Sequence, residues 1–194
     1  MTNHKDKLTE IIEEFWKKEL PETKEREISL KVDTDLINEI VGVRRAGKTY
    51  LMFLTIKKLG KESTIYVNFE NRKLLPLGAK YFNALVEFIH AKRLLEKNKK
   101  VYLFLDEVQR IEGWEKYVRS IYDEFKGKIK IFVSGSTSKL TQSKLSYLLS
   151  GRHLTTLVFP LSFKEFLCFK GFKIPEVFVE EDRAKIFGFL KEYI

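Results

Sequence analysis

Hydrophobic positions along the chain follow two rhythms, one typical of helices and one typical of buried strands. Apolar residues at three- and four-residue spacing predict helices over residues 5–19, 48–59, 79–97, 114–125, 140–149 and 163–169. Short apolar runs with polar or glycine-containing boundaries predict strands over residues 36–43, 63–69, 101–105, 129–133 and 154–159. Alternating apolar residues also favour a short half-buried strand over residues 28–32, and residues 176–194 return to a helical rhythm.

Strands and helices alternate from residue 36 onward. Such alternation requires crossover connections, which are right-handed and lay helices over a parallel sheet. We therefore expect an α/β fold with a mainly parallel sheet that is covered on both faces.

The composition is that of a globular chain with a core of its own. Hydrophobic residues make up 44% of the 194 positions and aromatic residues 13%, so a chain of this size can bury a substantial core. The single cysteine, Cys168, excludes an intramolecular disulfide and a cysteine-pair zinc site. The amino terminus does not resemble a signal peptide, and the most apolar stretch is too short to span a bilayer. We expect a cytoplasmic protein without a membrane partner.

The segment from Gly42 to Thr49 reads GVRRAGKT and fits the pattern GxxxxGK[ST] between a predicted strand and a predicted helix. Backbone amides of such a loop surround a β-phosphate, and the helix amino terminus adds partial positive charge. Lys48 would bridge the β- and γ-phosphates, and the Thr49 hydroxyl would bind Mg²⁺. The candidate nucleotide-binding residues are Gly42, Arg44, Arg45, Ala46, Gly47, Lys48, Thr49 and Tyr50.

Two carboxylates, Asp106 and Glu107, end the buried strand over residues 101–105. Ligands gather at the carboxyl ends of strands in an open parallel sheet, so both side chains should lie near the glycine-containing loop. Asp106 would hold Mg²⁺ through its water shell, while Glu107 would orient or deprotonate the attacking water.

Small hydroxyl side chains and one arginine are further candidates. Ser134 and Ser136 follow the strand over residues 129–133 and could contact the γ-phosphate or the water, although a turn that caps the next helix explains them equally well. Arg152 could neutralise phosphate charge, and an ordinary surface arginine fits as well. For Asn68 and Glu70, a polar strand end is the favoured interpretation.

Taken together, these motifs resemble the AAA-type ATPases common in archaea and bacteria. The similarity rests on GVRRAGKT, LFLDE with Gln109 and Trp114 after it, the serine-rich segment over 134–138, Gly151-Arg152 and the FPLSFKEF segment over 159–166. It implies a three-layer P-loop NTPase sandwich with strand order 5-1-4-3-2. It also implies an N-terminal helical extension over residues 1–24, an ATPase core over 25–171, and a truncated C-terminal lid over 172–194.

The same resemblance implies ATP rather than GTP as the nucleotide, since the NKxD and DxxG signatures of GTPases are incomplete here. By position, Ser134 or Ser136 resembles the polar sensor at the end of the fourth strand. Arg152 resembles the arginine finger, which acts in trans on the nucleotide of a neighbouring copy in a homo-oligomer.

The leading hypothesis is an Mg²⁺-dependent ATPase that acts as a conformational switch. The net charge of +9 motivates an alternative, a nucleotide-gated module that binds DNA or a protein with little hydrolysis. Its candidate basic strip consists of Lys92, Arg93, Lys97, Lys99 and Lys100. A small-molecule kinase is a third hypothesis, which Glu107 beside Asp106 disfavours because this pair suits water as the acceptor.

Overall fold

The computed structural model describes residues 3–136, 151–175, 177 and 179–194, with Ser136 described by its backbone alone. The strands are β1 (Ile37–Gly42), β2 (Thr64–Asn68), β3 (Val101–Asp106), β4 (Ile129–Ser136) and β5 (His153–Leu157). The helices, numbered in order among these residues, are α1 (His4–Lys17), α2 (Lys48–Leu59), α3 (Lys80–Ala91), α4 (Leu94–Lys97), α5 (Trp114–Glu124), α6 (Phe163–Phe169) and α7 (Glu180–Tyr193).

The five strands form one parallel sheet in the order β2-β3-β4-β1-β5. This order confirms the predicted arrangement 5-1-4-3-2. Because all strands point the same way, their carboxyl ends meet at one side of the sheet, which we call the carboxyl edge. Gly42, Asn68 and Asp106, the last residues of β1, β2 and β3, lie at this edge.

Helices cover the sheet on both faces and make a three-layer fold. Val67, Leu105 and Val133 belong to a large apolar cluster that also contains buried residues of α1, α3 and α5. Their strand neighbours Tyr66, Phe104 and Phe132 point to the opposite face and join a second cluster with α2. Side chains thus alternate between the two faces along strands that are buried on both, as in parallel sheets.

Helix α1 protects the outer strand β2. Its residues Leu8 and Ile12 are fully buried in the first cluster, and the Trp16 indole N–H donates to the Thr64 carbonyl at 2.7 Å. The carbonyls of an edge strand would otherwise be open to pairing with another chain. The predicted N-terminal helix is therefore packed into the same core as the sheet.

Three features differ from the sequence predictions. Residues 28–32 form no strand, although Leu30 is buried against α2, since apolar alternation reports burial and not hydrogen bonding. The predicted helix over 79–97 is divided because Arg93 adopts a left-handed backbone with φ 53°. Strand β4 continues to Ser136 rather than ending at Val133. The predicted helix over 140–149 lies outside the described residues.

Gly42, at the end of β1, is required by a close approach of two backbones. A Cβ atom added at Gly42 would lie 2.3 Å from the Val158 carbonyl oxygen. This approach follows the hydrogen bond at 2.7 Å from the Val158 amide to the Val41 carbonyl, which extends the pairing of β1 with β5. Any side chain here would push β1, which leads into the loop, away from Val158.

Among the described helices, none is both long and apolar enough to cross a bilayer.

We predict that Gly42→Ala lowers the free energy of unfolding by about 2–3 kcal/mol, because the clash is with rigid backbone. Urea denaturation followed by circular dichroism would measure the change. Gly188→Ala is the matched control, since a Cβ at this position in α7 meets no atom within 4 Å. That variant should be neutral or more stable by about 0.5–1 kcal/mol. Equal stability of the two variants would contradict the account of Gly42.

Candidate nucleotide site

The glycine-containing loop joins β1 to α2 through two left-handed residues, Arg45 at φ 66° and Gly47 at φ 94°. The Ala46 amide closes the turn by donating to the Val43 carbonyl at 3.2 Å. Because the first amides of a helix lack partners within that helix, the start of α2 presents N–H donors to the loop. The local backbone therefore provides the donors that an anion requires.

Lys48 is held inside this loop. Its ammonium donates to the carbonyls of Gly42 at 3.0 Å and Val43 at 3.2 Å, and the residue is only 6% exposed. The charge is thus fixed beside the amide donors at the start of α2. A phosphate in the loop would contact both the Lys48 ammonium and these backbone amides.

Asp106 is the centre of a hydroxyl network at the carboxyl edge. One carboxylate oxygen, Oδ2, accepts hydrogen bonds from Thr49 Oγ1 at 2.7 Å and from the Tyr66 hydroxyl at 2.8 Å. The other oxygen, Oδ1, accepts from the buried Ser134 hydroxyl. The predicted meeting of Thr49 with Asp106 is therefore present in the structure, and Ser134 joins them.

Tyr66 is a site residue that the sequence analysis missed. Its position in β2 buries the hydroxyl, and this burial, together with the neighbouring Asp106 carboxylate, raises the pKa of Tyr66 far above its ordinary value. The phenol therefore remains a donor at any physiological pH. Its ring packs on Phe15 of α1 and Phe53 of α2, with centroid distances of 5.0 and 5.1 Å.

Glu107 follows β3 in a left-handed conformation with φ 54°, which is uncommon for a residue with a side chain. Its amide donates to Ser134 Oγ at 3.1 Å, and its carboxylate accepts from the Gln109 side-chain amide at 2.5 Å. Strained backbone of this kind is concentrated at functional sites. Gln109, which entered the sequence analysis only as part of a motif, thus holds the candidate base.

The loop, Glu107 and Gln109 border a cleft of about 770 Å³ at the carboxyl edge. Its lining residues are Arg44, Arg45, Gly47, Lys48, Thr49, Tyr50, Glu70, Glu107, Gln109 and Arg110. Glu70, expected to be an ordinary strand end, pairs with Arg110 at 3.2 Å and lines this cleft, while the Asn68 side chain accepts from the Glu70 amide.

Thr49 and Asp106 provide side-chain oxygen atoms, the ligands that Mg²⁺ prefers. In the described part of the chain, no group of three or more His, Cys, Asp or Glu side chains could hold a metal ion. Mg²⁺ in nucleotide sites is commonly held by one or two carboxylates together with substrate phosphates, so a single aspartate with a threonine fits this ion.

Arg152 is the candidate that the structure separates from the cleft. Its carbonyl accepts from the Ile37 amide at 2.8 Å, at the start of β1, and its guanidinium pairs with Asp123 at 3.3 Å. Gly42 lies at the other end of β1, about 16 Å away by strand geometry. Arg152 therefore does not reach the cleft of its own chain.

The side chain of Ser136, the other serine candidate, lies outside the described residues.

A second cavity, of about 340 Å³, adjoins the other side of the loop. It shares Arg45, Gly47 and Tyr50 with the cleft and is otherwise lined by Glu22, Lys24, Arg26, Ala46, Leu161 and Phe169. Its remaining walls come from the segment before β1 and from the segment after β5. Neither segment was predicted to border the site, because no motif marks residues 20–30 and FPLSFKEF entered only as part of the family resemblance.

The candidate basic strip is largely neutralised by acidic partners. Lys92 pairs with Glu13, Arg93 with Glu96 and Lys100 with Asp35, so three of its five cations have an opposite charge within contact. A surface of this kind offers less positive potential to a polyanion than the net charge of the chain suggests.

The chain matches one family model and two relatives over most of its length. The family model described as AAA domain matches residues 34–167, which is more than half of the chain. An uncharacterized protein of Methanocaldococcus jannaschii is 38% identical over 169 residues, which cover 87% of this chain and 36% of that protein. An uncharacterized protein of Haemophilus influenzae is 36% identical over 141 residues, or 70% of this chain and 34% of that protein. The chain thus spans about a third of the length of these relatives.

A solved structure shares the fold at low sequence identity. It is that of the Aeropyrum pernix ORC1 protein in complex with DNA, with a TM-score of 0.50 and 14% identity over 93% of this chain and 53% of that one. At this identity the likeness shows the fold alone.

We predict that Tyr66→Phe lowers the free energy of unfolding by about 1.5–3 kcal/mol, because the variant loses a hydrogen bond to a carboxylate and keeps the ring. Chemical denaturation would measure the loss. Tyr102→Phe is the control: its ring packs against the same cluster, and its hydroxyl has no hydrogen bond with any residue that the structure describes. A change below about 0.5 kcal/mol is expected there. Similar losses in both variants would argue against a special role for the Tyr66 hydroxyl.

Proposed function

The chain belongs to the AAA domain family, and on that premise we propose that it binds ATP with Mg²⁺ and hydrolyses it. The family supports a nucleotide-binding, ATPase-type domain. The finer proposal is carried by one observation, the 2.7 Å hydrogen bond between Thr49 of the loop and Asp106 of β3. This contact supports a single site in which the phosphate donors and the acidic residues act on the same ligand.

The loop and the hydroxyl network around Asp106 have proposed roles that follow from their surroundings. The loop amides and Lys48 bind the β- and γ-phosphates. Thr49 and Asp106 would hold Mg²⁺, which when bound would neutralise charge on these phosphates. Ser134 orients Asp106 through its hydroxyl and Glu107 through the backbone amide.

Glu107 is proposed as the general base. It takes a proton from a water molecule whose oxygen attacks the γ-phosphorus, while the bond from that phosphorus to the bridging oxygen breaks and ADP leaves. Gln109 is proposed to fix the direction of the Glu107 carboxylate.

The second cavity supports the placement of the nucleoside. A phosphate chain in the loop leaves the rest of the nucleotide beside Gly47 and Tyr50, which both cavities share. Leu161, Phe169 and Ala46 give this cavity apolar walls, which suit a planar base. We therefore place adenine and ribose between the segment before β1 and the segment after β5.

Lys48→Ala should abolish binding of Mg-ATP, since the variant lacks the cation inside the loop. Glu107→Gln should bind Mg-ATP as the unmodified chain does and lose turnover by about 10²–10⁴-fold. Titration calorimetry measures binding, and phosphate release measures turnover. Lys58→Ala, an exposed position on α2, is the control and should change neither. Equal loss of binding in Lys48→Ala and Glu107→Gln would refute the assigned roles.

Arg152 is proposed to act on the nucleotide of a neighbouring copy, because the cleft of its own chain is out of reach. Specific activity should then rise with protein concentration, and Arg152→Ala should remove this rise. Arg119→Ala is the control, since Arg119 pairs with the same Asp123. A mixture of Arg152→Ala with Lys48→Ala should regain activity, as each variant supplies what the other lacks. Activity that is independent of concentration, with no recovery in the mixture, would contradict action in trans.

The DNA- or protein-binding module remains the alternative. Its candidate strip is mostly paired with acidic side chains, which gives the ATPase the better support. DNA binding that weakens steeply with added salt would be the sign of phosphate contacts and would favour the alternative.

A further inference from the structure

A buried ion pair joins the two segments that border the second cavity. Arg26 precedes β1, and Glu165 belongs to the FPLSFKEF segment after β5. Arg26 Nε donates to Glu165 Oε1 at 2.7 Å, and the two side chains are only 8% and 6% exposed. Burying two charges is costly unless further hydrogen bonds satisfy them, so the other partners of this pair show what it serves.

Two further donors of Arg26 bind backbone carbonyls, one in the loop and one after β5. Nη1 donates to the Ala46 carbonyl at 3.1 Å, and Nη2 donates to the Phe159 carbonyl at 3.0 Å. One planar guanidinium thus ties together the segment before β1, the glycine-containing loop and the connection from β5 to α6. A Cβ atom added at Gly47 would lie 3.0 Å from Nη1, so the guanidinium rests directly against the loop.

Glu165 is itself held rigidly. Its carboxylate accepts from the backbone amides of Glu27 and Ser162, both at 2.9 Å, and its own amide is capped by the Ser162 hydroxyl at the start of α6. Burial alone would raise the pKa of the Glu165 carboxyl, but the hydrogen bonds from Arg26, Ser162 and Glu27 outweigh this effect and keep the pKa below its usual value. The carboxylate is therefore a fixed anchor for Arg26.

The contact with Ala46 has a direct consequence for the loop. In a planar trans peptide the C=O of one residue and the N–H of the next point in opposite directions. Because the Ala46 carbonyl points at Arg26, the Gly47 N–H points away from Arg26. A cationic donor on the carbonyl also polarises the peptide, which makes the N–H a stronger donor.

We propose that Arg26 is a positioning residue of the nucleotide site: anchored by Glu165, it orients the Gly47 N–H toward the bound phosphate. The segment before β1 is then part of the nucleotide-binding machinery, although no recognised motif includes it. This role rests on the proposed binding of a nucleotide at the loop. Arg26 itself touches the loop backbone and need not touch the phosphates.

Arg26→Lys and Arg26→Gln test this role in the nucleotide-free chain and with Mg-ADP. Lysine can keep the charge beside Glu165, but it lacks the planar fork that reaches the Ala46 and Phe159 carbonyls at the same time. We expect the Mg-ADP dissociation constant to rise about tenfold or more in both variants, the size of one lost charge-assisted hydrogen bond. The ¹⁵N–¹H resonance of Gly47, measured without nucleotide, should shift or broaden.

The neighbouring ion pair is a matched control. Lys164 pairs with Glu27 at 2.9 Å and links the same two segments, but both side chains are at least half exposed and neither contacts the loop. Lys164→Gln should leave the Gly47 resonance in place and the dissociation constant within about twofold, as for other exposed pairs. Equal effects of Lys164→Gln and Arg26→Lys would overturn the proposal.

A double variant separates positioning from simple charge compensation. Arg26→Gln leaves Glu165 as a buried, unpaired carboxylate, and adding Glu165→Gln removes that charge. If Arg26 only neutralises Glu165, the double variant regains both the Gly47 resonance and tight Mg-ADP binding, and the proposal is wrong. If Arg26 acts through the Ala46 carbonyl, the double variant recovers stability but neither of these readouts.

The readouts also separate this proposal from the proposed function. An unmodified chain that binds no Mg-ADP would refute nucleotide binding, and an altered Gly47 resonance in Arg26→Lys would then still show that Arg26 sets the loop conformation. An unmodified chain that binds Mg-ADP, with Arg26→Lys binding as tightly, would refute the role of Arg26 alone.

Discussion

The hydrogen-bonding capacity of one buried carboxylate organises the carboxyl edge of the sheet. Asp106 is fully buried, and a buried carboxylate is tolerated only where donors surround it. Thr49 comes from α2, Tyr66 from β2 and Ser134 from β4, so the donors are contributed by three different elements. The hydrogen bonds to Asp106 therefore fix the start of α2 and the ends of β2 and β4 beside the end of β3. The proposed metal-bound nucleotide requires the same arrangement.

Hydrogen bonds from two cationic side chains also fix the backbone of the loop. The carbonyls of Gly42 and Val43 face Lys48, while the carbonyl of Ala46 faces Arg26. Two cations thus hold successive parts of the loop backbone. Arg45, which is left-handed, lies between these points, and the left-handed Gly47 follows directly after Ala46. A conformation that is unfavourable for Arg45 is stabilised because the backbone on both sides is fixed.

Much of the fold could be predicted because parallel sheets have a simple sequence pattern. Continuous apolar strands such as Val101–Asp106 are buried on both faces, and the helix Lys48–Leu59 begins with the last two residues of GVRRAGKT. The strand order came from the family resemblance and not from periodicity. Predictions failed where the backbone conformation departed from what apolar spacing indicates: Leu30 is buried without a strand, and Arg93 breaks a helix although the apolar pattern continues past it.

The sequence by itself determined the candidate residues for a phosphate and a metal, because a loop such as Gly42–Thr49 and a strand that ends in Asp106 carry their chemical groups in contiguous residues. Only the tertiary structure decided which other residues belong to the site. Tyr66 lies 40 positions from Asp106, and Arg26 lies 139 positions from Glu165, so no local pattern connects either pair. These contacts arise because distant segments pack around the buried carboxylates of Asp106 and Glu165. Each carboxylate accepts hydrogen bonds from the donors that the fold brings near it.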